Sequence, residues 1–145
     1  METLEERLSR VIEAKYRLPK AYQFFHDHAG GIVGESAMTA FRLAKAESEF
    51  RALDGETLRF VTEYDEYPDI SWMDDSQLRD YRAGRTLILF ARLQSRTPEC
   101  PHCGEYGEWV TVDSLGGIHV AREDDAYLRV IRAEMVSEFL AREGR

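Results

Sequence analysis

Thr86-Leu87-Ile88-Leu89-Phe90-Ala91-Arg92-Leu93 is the stretch that decides the fold. A strand with one wet face alternates apolar and polar residues, whereas this run is nearly continuously apolar, so it predicts a central strand covered on both faces. Upstream, from Thr57, the period is two. Leu58, Phe60 and Tyr64 share one side of a strand, and Arg59 and Glu63 share the other. Downstream, Trp109 to Asp113 predicts a third strand that turns through Ser114 to Gly117 and returns as Ile118 to Val120.

Helices flank this β-rich centre. Leu4, Leu8, Val11, Ile12 and Tyr16 recur at helical spacing, and Thr3 with Glu6 forms a capping-box pattern, which predicts a helix over 4–17. Pro19 keeps Leu18 extended and suits a first helical position, so a second helix is expected through Ala21, Tyr22, Phe24 and Phe25, ended by Gly30 and Gly31. A third runs over 35–53, with an apolar stripe of Leu43, Ala46, Phe50 and Leu53, and breaks at Asp54-Gly55. Leu128, Ile131, Met135 and Phe139 mark one face of a closing helix, with Glu123, Asp124 and Asp125 at its positively polarised start. Segregated runs of this kind predict an α+β fold: N-terminal helices, a small, mainly antiparallel sheet, and a C-terminal helix. The expectation is one domain over 1–145, helical in 1–53 and β-rich with its closing helix in 56–142.

Composition narrows the function classes. The 145 residues suit one domain, which would bury roughly two-thirds of its unfolded surface. Asp and Glu number 27 against 19 Lys and Arg, for a net charge of −8, which argues against direct nucleic-acid binding through a basic face. No apolar run reaches membrane-spanning length, and the opening METLEERLSR lacks the apolar core of a secretion signal, so neither a membrane nor an export route is expected.

Cys100-Pro101-His102-Cys103-Gly104 is the sharpest local motif. Its spacing lets two thiolates converge on one tetrahedral cation, Pro101 stiffens the approach, and Gly104 relieves crowding where amides turn toward sulfur. A hairpin tipped by such a turn resembles one half of a zinc ribbon. The chain has no other cysteine, so the remaining ligands would come from His26, His28, His102, His119, a carboxylate or a second subunit. His119, beside the hairpin, is the expected third zinc ligand after Cys100 and Cys103, and a metal shared between subunits would make a homodimer. His26 and His28 read instead as solvent-facing residues at a helix end. CPHC also resembles the motif of DsbA-type thiol oxidoreductases, but Gly104, Gly107 and a strand at Trp109 stand where that motif needs a helix. Two reduced, metal-free thiols are the remaining alternative.

Residues 54–80 carry nine acids and only two bases, Arg59 and Arg79, interleaved with Tyr64, Tyr67, Ile70, Trp72 and Met73. Such mixing differs from a purely solvating loop. Aromatic groups supply contact area at low entropic cost, and carboxylates steer a cationic partner, so Asp65, Asp69, Trp72, Asp74 and Asp75 are the candidate contact residues for a protein with a basic surface. The competing reading has Trp72 and the tyrosines anchoring the loop to the core while the acids face water. No calcium loop, P-loop, nucleophile elbow or dinucleotide fingerprint occurs, so no catalytic residue is assigned.

The region 56–142 resembles a group of small uncharacterised phage and mobile-element proteins. The resemblance rests on SWMDD (Ser71 to Asp75), CPHCG (Cys100 to Gly104), DSLGGI (Asp113 to Ile118) and DDAYLR (Asp124 to Arg129). It implies a setting, the cytoplasm of a bacterial host, and a manner of action: binding and inhibiting a host defence or nucleic-acid-handling protein. A zinc-ribbon-like accessory or regulatory domain is the alternative function, and a thiol oxidoreductase the third.

Overall fold

The computed structural model describes residues 19–28, 37–122 and 124–144; the helix expected over 4–17 and its successor's end at Gly30 and Gly31 lie outside these. The described elements are α1 (Pro19–His28), α2 (Ala37–Leu53), β1 (Leu58–Tyr64), α3 (Asp75–Arg82), β2 (Thr86–Ser95), β3 (Val110–Ala121) and α4 (Ala126–Arg142). The fold is α+β. The chain divides into two compact units, residues 1–54 with 129–145, and residues 55–128.

The first unit is helical. Pro19 opens α1, as its fixed φ favours, and Ala21, Tyr22 and Phe25 pack with Ala40, Leu43 and Ala44 of α2 and Val130 and Ala133 of α4. Ala21, Ala40 and Ala44 let α1 and α2 approach closely, and Phe24 and Phe41 pack against the cluster. Along α2 the buried positions are Ala40, Leu43, Ala44, Ala46, Glu47 and Phe50. Their three- and four-residue spacing is that of one helix face, and Glu47 falls on it. Leu53 is only partly covered. On α4 the covered face is broader than the expected stripe, with Val130, Ile131, Ala133, Met135, Val136 and Leu140 buried and Leu128 and Phe139 half-buried.

The second unit is built on a three-stranded sheet in the order β1-β2-β3. Both pairings are antiparallel, with Leu58 opposite Ser95, Tyr64 opposite Leu89, Thr86 opposite Ala121 and Ser95 opposite Val110. β2 is therefore the central strand, and Ile88, Leu89, Ala91 and Leu93 are buried along it. The CPHCG turn lies in the connection between β2 and β3, at the tip of the hairpin.

Two local expectations are corrected. Ser114 to Gly117 is not a turn between two short strands; β3 runs unbroken through it. Leu89 pairs with Ile118 and Ala91 with Leu115, so Phe90 alone opposes Gly116 and Gly117, and Gly117 adopts φ +67°. That is a β-bulge with a left-handed glycine, and it accommodates turn-forming residues without ending the ladder. The second correction is α3, an eight-residue helix inside the acidic belt. Its Asp74–Gln77 capping box satisfies the first amides, but it has no buried residue, so no hydrophobic stripe announces it.

Candidate functional site

The acidic aromatic segment begins where β1 ends. Glu63 pairs with Arg92 across the strands. The Asp65 amide donates to Ile88 O at 3.0 Å, continuing the ladder by one bond, and the Asp65 side chain accepts from the Tyr67 amide at 3.1 Å. Asp69 repeats this device: its Oδ1 accepts the Ser71 hydroxyl at 2.6 Å and the Ser71 amide at 3.0 Å. Those two bonds favour the charged carboxylate and hold the Asp69 pKa below its ordinary value. The Trp72 indole Nε1–H donates to Asp69 O at 2.8 Å, and its ring meets His119 edge to face at 5.2 Å. Asp74 is the N-cap of α3, accepting from the Gln77 amide at 2.8 Å while its own amide donates to Gln77 Oε1, and Asp75 occupies the first turn.

All five expected contact residues thus belong to one continuous surface segment, and four of its carboxylates lie at turns or at a helix start. Asp65, Asp69 and Asp74 fix the segment by accepting backbone N–H groups in their ionised form and so keep their charge, while Glu63 is paired with Arg92. Residues 63–75 contain six acids and no Lys or Arg. The aromatic groups point outward: Tyr67 is 91% exposed, Tyr64 64% and Trp72 52%, whereas Met73 is buried and holds the segment down. A shallow cleft of about 240 Å³ adjoins the segment, lined in part by Tyr64, Asp65, Tyr81 and Arg122. Tyr64 and Tyr67 were visible in the sequence as part of the acidic belt, but only their exposure distinguishes them from anchors.

The cysteine turn is a second, separate feature. Gly104 N donates to Cys100 O and Cys100 N to Glu105 O, each at 2.8 Å, closing the turn; Gly104 has φ +72°. The backbone N–H groups of Cys103 and His102 and the Cys103 thiol donate toward the Cys100 sulfur, and hold its pKa below the ordinary thiol value. Cys100 is half-buried and Cys103 exposed, both unbridged. Arginines brace the base of the loop. Arg96 lies over the rings of Tyr106 and Trp109 at 4.0 and 4.3 Å and donates to the carbonyls of Glu56 and Gly55, while Arg59 lies over Trp109 at 4.4 Å.

Within its unit the turn holds His102 but is not reached by His119. His119 lies opposite Ile88, at the far end of the hairpin from the Ser95–Val110 pair that leads into the loop, and the register does not bring it to the cysteines. His28 Nδ1 is 2.9 Å from Phe24 O and its ring stacks on Phe24, while His26 has its ring 6.0 Å from that of Tyr22. Among the described residues no three His, Cys, Asp or Glu side chains come together as a metal-holding group. Also among the described residues, no helix is long and apolar enough to cross a membrane.

A scan against protein-family models and searches of curated proteins and of solved structures found no match to the chain.

Proposed function

We propose that this chain is a protein-binding module that inhibits a host defence or nucleic-acid-handling protein by covering a cationic surface with the segment 63–75. The observation that carries this reading is the exposure of Tyr67 and Trp72 on a segment that is held by its own carboxylates and contains six acids and no Lys or Arg. A large side chain that merely anchored the loop would be buried, as Met73 is. The carboxylates supply long-range attraction and orientation, and the aromatic groups supply contact area once the surfaces meet. Fixing the loop before contact lowers the ordering cost of association. A surface that normally holds phosphates offers the complementary charge. The phage or mobile-element setting implied by the resemblance of 56–142 belongs to the same proposal.

The test is capture from a bacterial extract with the immobilised chain, followed by elution with duplex DNA. Proteins that DNA releases, and that Tyr67→Ala with Trp72→Ala fails to retain, support the proposal. Capture left intact when Asp65, Asp69, Asp74 and Asp75 are all changed to Lys refutes it.

A further inference from the structure

We propose that Cys100 and Cys103 form half of a zinc site that is completed by the same two cysteines of a second copy of the chain. The turn is already shaped for a cation. Its two cysteines stand three residues apart on a reverse turn closed by two backbone hydrogen bonds. Zinc held by thiolates takes four ligands in a closed structural site, and one turn supplies two.

Among the described residues no third His, Cys, Asp or Glu side chain joins the two cysteines as a metal-holding group. Within the same unit, His119 meets Trp72 at the far end of the hairpin, and His102 is part of the turn itself. A second identical turn has the required two thiolates, and a two-fold axis through the metal makes the 2 + 2 arrangement self-consistent. Access is open, since residues 101–106 are all exposed at the hairpin tip. The loop is also held in shape from below by Arg96 and Arg59 on Trp109, so the turn is presented as a firm projection.

Charge makes the association conditional. Each copy carries a net charge of −8, and Glu99, Glu105 and Glu108 flank the turn, so two copies repel one another in the absence of the cation. The zinc-bridged dimer should therefore vanish on chelation and strengthen as salt screens the repulsion. This inference is independent of the acidic segment, which lies elsewhere in the same unit.

The experiment is titration of reduced, metal-free, full-length protein with Zn²⁺, followed by native mass spectrometry, and with Co²⁺, followed by absorption. The expected result is one metal per two chains, a dimer that chelation returns to monomer, and a cobalt spectrum of four-thiolate tetrahedral type. Cys103→Ser and Cys100→Ser should each reduce zinc affinity at least 100-fold and abolish the dimer, with an unchanged circular dichroism spectrum as the folding control. One metal per chain in a monomer would overturn the proposal, as it would mean that Glu99, Glu105, His102 or water completes the site. A dimer that survives chelation, or protein that takes up no metal, would overturn it equally.

Discussion

Arg129 grips the Glu47 carboxylate with two nitrogens, Nε at 2.5 Å and Nη2 at 2.7 Å, and the Glu47 side chain has no exposed surface. Arg132 at 3.3 Å and Arg51 at 3.6 Å add two further positive charges to the same carboxylate. Arg129 also lies over the Phe24 ring at 4.0 Å, so one guanidinium ties α1, α2 and α4 together within the helical unit. Removing one partner of a buried pair strands the other. Arg129→Ala is expected to cost about 3 kcal/mol, toward the low end for such a break because Arg132 and Arg51 remain. Denaturant unfolding followed by circular dichroism measures it, and a cost under about 1 kcal/mol would show that the pair is replaceable.

The same carboxylate sets an acid limit on stability. Burial alone would raise the Glu47 pKa, but the Arg129 hydrogen bond and the charges of Arg129, Arg51 and Arg132 outweigh it and hold the value below the ordinary one. A carboxyl whose pKa is lower in the folded state stabilises fully above its unfolded value, and that stability is lost as pH falls through the folded value. Melting temperature should therefore fall as pH drops below the ordinary carboxylate range. Glu47→Gln, which cannot titrate, should melt lower at neutral pH and show a shallower acid decline.

Asp74 has two separable roles. Its side chain caps α3 and its charge belongs to the acidic face. Asp74→Asn keeps an acceptor for the Gln77 amide and removes the charge, so it should weaken partner binding with little change in stability. Asp74→Ala should weaken binding and also destabilise the protein by about 1 kcal/mol. Equal stability of the two variants would deny the cap its role.

Asp69 should titrate below an ordinary aspartate because Ser71 donates to it twice. Ser71→Ala removes the hydroxyl bond and leaves the amide bond, so the Asp69 pKa should rise part of the way back. A side-chain NMR titration of both proteins reads this directly. An unchanged pKa would mean that the hydroxyl is not the donor.

Gly107 permits a close approach at the base of the cysteine loop. A Cβ there would lie 2.1 Å from Thr97 Oγ1 and 3.2 Å from the Thr97 backbone nitrogen. Gly107→Ala is therefore expected to destabilise the protein by roughly 1–3 kcal/mol, in the range for steric overpacking, and to disturb the Trp109 fluorescence. Thr97→Ser should leave the approach intact.

The sequence was legible where an apolar pattern marks burial and opaque where local chemistry substitutes for it. Thr86 to Leu93 announced the central strand, but its cover is uneven: Leu89, Ala91 and Leu93 are buried on one face, while on the other only Ile88 is, with Phe90 and Arg92 half-buried; Leu43, Ala46 and Phe50 announced the buried face of α2. Glu47 sits on that same face but carries a charge, so an apolar pattern passes over it, and its three arginines converge only in the folded chain. α3 rests on a cap and not on a stripe. Ser114 to Gly117 has the composition of a hairpin turn, and only its pairing with β2 shows a bulge. At the surface segment the residue types were evident, but which large side chain anchors it depends on packing: Met73 is buried, Tyr67 is exposed, and Trp72 is half-exposed while bonded to Asp69 O and set against His119.

The extra residue in β3 works as a parity device. Directly opposite residues of an antiparallel pair share a face, so Asp113, Leu115, Ile118 and Val120 lie on the side of Leu93, Ala91, Leu89 and Leu87, and His119 lies on the other side with Ile88. Were both Gly116 and Gly117 kept but paired in strict alternation from Leu115, His119 would turn to the side of Leu89 and Leu87, and Ile118 and Val120 away from it. Trp72 would then meet a different side chain. The side chain that an indole in a distant loop meets thus rests on a one-residue step in the pairing, and deleting one of the two glycines would remove the bulge while leaving Ile118, His119 and Val120 on the faces they now occupy.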